Sequence, residues 1–152
     1  MAERRARRHS VDPSLQLGHS GRVSNPIADA LLDAVGGDTD AVEQVRAVSH
    51  ERMADVAGSL SPLVLTRVAL ARVLSDLRDG LISTEQAQRW ASFVRRGNLP
   101  CVDAMAVRPI DIGYEDDAAM VDPLSRLDEL GDEIDGTMPV DELNDWIARL
   151  ST

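Results

Sequence analysis

The chain has 152 residues, a net charge of −10, 43% hydrophobic and 28% charged residues, and one cysteine. That length suits one domain, the hydrophobic share is too high for a disordered chain, and a lone Cys101 excludes a disulfide framework and a multi-cysteine zinc site. No stretch approaches the roughly 20 apolar residues that cross a bilayer, and no apolar run follows the N-terminal arginines as in a secretory leader, so no membrane partner is expected.

Residues 1–23 show neither helical nor strand periodicity and are read as a flexible basic tail attached to a single helical domain, 24–152. Ser24 or Asn25 is placed to cap a first helix with Pro26 at its start, and Gly36-Gly37 ends it. A second helix is expected from Asp38 or Thr39 to Ala57, closed by Gly58, with Val42, Val45, Val48, Met53 and Val56 on its inner face. Ser61 and Pro62 read as the cap and first residue of a third helix that carries Leu63, Ala69, Leu70, Val73, Leu74 and Leu77 before Gly80. Ser83 and Gln86 have the spacing of a capping box, with Ile82 placed as a hydrophobic staple, and open a fourth helix that ends at Arg95-Arg96-Gly97. Trp90, Phe93 and Val94 are its core positions.

The Pro- and Gly-containing run 98–116 reads as an irregular acidic connector, with Val107 to Ile112 long enough for a short strand or loop and no more. Asp122 and Pro123 then fit the cap and first residue of a helix bearing Leu124, Leu127 and Leu130, ended by Gly131. A last helix from about Pro139 to Leu150 presents Leu143, Trp146, Ile147 and Leu150. About six helices with short links make an all-α helical bundle. An aromatic content of only 3% agrees with a core of Leu, Val, Ile, Met and Ala.

Charge is unevenly spread. Residues 1–24 carry +3, residues 25–97 carry −2, and residues 98–152 carry −11. Every basic residue is Arg, a bias expected of a GC-rich bacterial genome, and the lone thiol fits a reducing, cytoplasmic setting. A body this negative repels nucleic acid and attracts a basic protein.

Motifs for chemistry are few. His50-Glu51 begins like a zinc-protease helix, but Ala54 stands where the second ligand belongs. No phosphate-binding glycine pattern occurs, Cys101 has no base nearby in sequence, and the acids from Asp111 to Asp122 do not follow a calcium-loop spacing. No catalytic, cofactor or metal residue is therefore assigned, and the chain is not expected to be an enzyme. The acidic loops, Asp111, Glu115, Asp116, Asp117, Asp132, Glu133 and Asp135, are the candidate partner-binding residues.

From Leu70 to Leu150 two strings, "LSDLRDGLISTEQAQRW" (74–90) and "DPLSRLDELGDEIDGTMPVDELNDWIARL" (122–150), give the chain a resemblance to small helical bacterial immunity proteins of the colicin-like and contact-dependent-toxin type. The resemblance implies a non-enzymatic bundle that blocks a basic toxin through an acidic face. An alternative expectation is a helical oligomeric or regulatory module whose basic tail docks on another subunit or on nucleic acid.

Overall fold

A computed structural model describes residues 24–97, 109–131 and 136–152. Among them lie seven helices and two short strands: α1 Pro26–Val35, α2 Thr39–Arg46, α3 His50–Ser59, β1 Leu63–Leu65, α4 Arg67–Arg78, α5 Thr84–Arg96, β2 Ile112–Tyr114, α6 Asp117–Asp128 and α7 Val140–Leu150. The architecture is a helical bundle with a two-stranded parallel sheet inserted at one side. The expected basic tail, and Cys101 in the connector, lie outside the described residues.

Local signals explain most of the helix ends. The Asn25 side chain accepts from the Ile27 amide at 3.1 Å, and Pro26 occupies the first turn of α1. Asp38 caps α2 through the amides of Asp40 and Ala41. The capping box on α5 is complete: the Ser83 hydroxyl accepts from the Gln86 amide at 3.1 Å, and the Gln86 side chain accepts from the Ser83 amide at 2.9 Å. At the other end Gly97 adopts φ 63°. That left-handed turn is possible only without a side chain, because a Cβ there would lie 1.9 Å from the Ile110 carbonyl oxygen. The close approach lets the Ile110 amide donate to the Gly97 carbonyl at 2.7 Å, so the two ends of the intervening segment are tied together.

Three expectations are corrected. The helix read from Thr39 to Ala57 is two helices, broken at Ala47–Ser49, where Ser49 turns to an extended conformation (ψ 141°) and starts α3. Val42, Val45, Met53 and Val56 would share one face of an unbroken helix as well as of a broken one, so periodicity is silent on the break. The turn brings α3 back against α1.

Ser61 and Pro62 do not start a helix. Leu63-Val64-Leu65 is extended, its alternation of buried, exposed and buried side chains is that of a strand, and the helix begins after Thr66, whose hydroxyl accepts from the Ala69 amide at 3.1 Å. Likewise Asp122 is not a cap. Asp116 is, and Pro123 sits inside α6. Proline there removes the amide that would bond the Ala119 carbonyl, a defect that costs about 3 kcal/mol in an ordinary helix. Complete burial of Met120 in the preceding turn, and burial of Pro123 itself, offsets it.

The core gathers Leu31, Leu65, Leu70, Leu74, Trp90, Phe93, Met120, Leu124 and Leu127, all inaccessible to solvent. At its centre the Trp90 indole N–H donates 2.7 Å to the Ala34 carbonyl, fastening α5 to the C-terminal end of α1. α4 packs on α7, and α5 on α6 and α2.

Two stability measurements check this account. Gly97→Ala is expected to lower the unfolding free energy by at least about 2 kcal/mol, read from the urea midpoint, since it combines a left-handed penalty with a backbone collision. Trp90→Phe removes the donor to a carbonyl that also accepts from Gly37, and is expected to cost about 1–2 kcal/mol.

Candidate functional site

The acids singled out in the sequence sit on either side of β2. Strand geometry places Asp111 and Glu115 at opposite ends, roughly 13 Å apart along the chain. The structure therefore does not gather them into one cluster. Asp132, Glu133 and Asp135 lie outside the described residues, between Gly131 and Gly136, whose backbones are hydrogen-bonded at 3.2 Å.

Each of the four described acids has its own setting. Glu115 reaches across to α4: its carboxylate accepts from the Arg67 amide at 2.7 Å, while its own amide donates to the Leu65 carbonyl at 2.9 Å. α4 has no acidic residue in its first turn, so Glu115 supplies the negative charge that the positive end of that helix favours. Asp116 caps α6 by accepting from the Ala119 amide at 3.2 Å. Asp117 is exposed in the first turn of α6, and Asp111 is exposed before β2. Glu115 and Asp116 thus hold the fold together at the point where Asp117 is displayed.

Beside them Tyr114 is half-buried, and its phenol is raised above the ordinary tyrosine range chiefly by burial. Nearby Arg95 opposes that shift and Asp117 reinforces it.

The basic residues of this region form their ion pairs with other acids. Arg95 and Arg96 both reach Asp128, at 2.6 and 3.1 Å, and the Ser92 hydroxyl donates to the same carboxylate. Arg126 bonds Glu142 at 3.0 Å and the Thr137 carbonyl at 3.0 Å. Asp128 is one of the two buried polar residues among those described, with its side chain 4% exposed. Sequence reasoning passed over it. The signal was the polar stripe Gln88, Ser92, Arg95 and Arg96, spaced at i, i+4, i+7 and i+8 beside the apolar face of Trp90, Phe93 and Val94, which calls for an acid on the facing element. With those arginines occupied, Asp111, Asp117, Asp122 and Glu129 have no ion-pair partner among the described residues.

A groove of about 530 Å³ runs between the second half of α3 and the starts of both strands. Ala57, Leu60, Pro62 and Val64 give it an apolar lining, and Asp55 and Asp111 stand on its walls. A second groove of about 360 Å³ lies on the α1 side of the 60–64 segment, lined by Leu32, Val35 and Val64 among others. Among the described residues no group of His, Cys, Asp or Glu side chains is arranged to hold a metal ion. His50 opens α3, with Ala54 one turn on. Among the described residues no helix is long and apolar enough to cross a membrane.

No protein-family model matches the chain, and no curated protein or solved structure matches it either.

The division of labour among the acids is testable by thermal and urea unfolding of single variants. Asp116→Ala is expected to cost about 1 kcal/mol and Glu115→Ala about 0.5–1 kcal/mol, as losses of helix-end acceptors. Asp128→Ala is expected to cost about 2–3 kcal/mol, because it strands Ser92 and two arginines arranged around it. Asp111→Asn and Asp117→Asn are expected to change stability by no more than about 0.5 kcal/mol.

Proposed function

We propose that this chain is a non-enzymatic protein-binding domain, immunity- or antitoxin-like, that offers an acidic surface to a cationic protein partner in the cytoplasm. The observation that carries the reading is the placement of charge on the β2–α6 side. Arg95, Arg96 and Arg126 are turned onto Asp128 and Glu142, which leaves Asp111, Asp117, Asp122 and Glu129 exposed and uncompensated among the described residues. Fixed like charges on a capped helix start and a strand end raise the local negative potential. They do so without a conformational change, a condition for fast, salt-sensitive association with a basic surface. Binding would occupy the partner's cationic site sterically, so no chemistry on this chain is required.

Capture from a lysate of the host organism at low and at moderate salt, with mass spectrometry of what is retained, tests the proposal. The reading holds if a basic protein is retained by the full chain at low salt, released as salt rises, and lost by the triple variant Asp111→Asn, Asp117→Asn, Asp122→Asn, which leaves the Glu115 and Asp116 caps intact. If the retained protein is a nuclease, its activity should fall in proportion to added chain and level off at one equivalent. Recovery of only the chain itself or nucleic acid, abolished by deleting residues 1–23, would replace this reading with the oligomeric or regulatory module docked through its tail.

A further inference from the structure

The 530 Å³ groove between α3 and the two strands combines features that select one kind of occupant. Its lining mixes apolar and polar surface, and Val64, the outward residue of β1, is 45% exposed there. Two glycines border it, and neither is required by the backbone. Gly58 in the last turn of α3 and Gly113 at the centre of β2 are absent from the positive-φ positions, which are Gly37, Gly80, Gly97 and Gly131 among the described residues. A Cβ on Gly58 would meet nothing within 4 Å, and one on Gly113 would make only ordinary contacts, 3.8 Å from the Leu63 carbonyl and 4.0 Å from a Val64 methyl. Glycine in a helix or strand costs about 0.5–1 kcal/mol relative to alanine, so both positions forgo stability and leave space on the groove, in the case of Gly113 next to Val64. Asp55 on α3 and Asp111 before β2, both exposed and without an ion-pair partner among the described residues, put negative charge on the two walls of the same groove.

We infer that this groove is the docking site for an extended segment of a partner protein in which arginine or lysine alternates with apolar residues. The chain passes over Gly113 and Gly58, where the missing side chains let a second backbone come close. An apolar side chain covers Val64 and Pro62, and a basic side chain lays its methylene stem along the lining with its charged head between Asp55 and Asp111. The two carboxylates disfavour an acidic segment. The inference rests on the reading of the chain as a binder of cationic protein. It narrows that reading from an acidic face to one groove.

The probe is a blocked pentapeptide, acetyl-Val-Arg-Val-Arg-Val-amide, with acetyl-Val-Glu-Val-Glu-Val-amide as control, titrated into the isotope-labelled full chain and followed by amide chemical shifts at low salt. The arginine peptide is expected to shift residues 54–64 and 109–113, and the glutamate peptide to shift none of them. The pair Asp55→Asn, Asp111→Asn should weaken binding by up to about ten-fold, as two solvent-exposed ion pairs predict. Gly113→Val and, separately, Gly58→Leu should abolish binding while the melting temperature stays level or rises. Retained binding by both groove-filling variants would overturn the inference. So would shifts centred on Asp117 and Asp122, which would leave the broader acidic-surface reading in place. Failure of the arginine peptide to bind anywhere, together with capture of a basic partner by the same protein, would also reject the groove alone. If the probe binds only after residues 1–23 are deleted, the groove's occupant is the chain's own arginine-rich segment and the partner assignment falls.

Discussion

The parallel pairing of Leu63–Leu65 with Ile112–Tyr114 is the constraint on which the described site depends. Three residues on each side are too few to be stable alone, so the sheet exists because helices cover it: Leu63 and Leu65 are buried, α1 flanks the first strand, and Glu115 ties the end of the second to the start of α4. Once the pairing is made, its consequences follow along the chain. The helix after β1 must be capped by Thr66 and not by Ser61. Asp116 must leave the strand in an extended conformation and so becomes the cap of α6. The two carboxylates before and after β2 are held a strand's length apart.

A second organising contact is the buried Asp128. A carboxylate with its side chain 4% exposed is tolerated because Ser92, Arg95 and Arg96 all reach it, and because Gln88 bonds the same residue's carbonyl at 3.2 Å. This network joins α5 to α6 with polar groups where the rest of their interface is apolar. It also pairs two exposed arginines with a buried acid, so they form no ion pair with Asp117 or Asp122. Structure and electrostatics are therefore coupled: the residues that fasten the end of α6 also decide which of its acids stay unpaired.

Among the candidate acids, position in the sequence proved a poor guide to role. Glu115, Asp116 and Asp117 are consecutive and chemically alike, yet the first caps a helix 48 residues away, the second caps its own helix, and the third faces water. Their shared charge is what the sequence makes visible. Which of them is occupied depends on the strand that precedes them, and Asp55 joins Asp111 across a groove only because α3 folds back beside β1.

Helical class, the buried face of α5, its capping box, its glycine end and the last helix were all legible from the chain alone, because each is set by interactions between residues within four or five positions of one another. Net charge and its concentration toward the C-terminus were equally plain, since they need only counting. The break at Ser49, the strand at Leu63–Leu65 and the helix that runs through Pro123 were decided by the tertiary structure. In each, a local preference for one conformation was outweighed by partners distant in sequence: α1 for α3, β2 for β1, and the buried surroundings of Met120 for α6. Local rules act through hydrogen bonds a turn apart, whereas burial and strand pairing are paid in full only when the whole chain has closed.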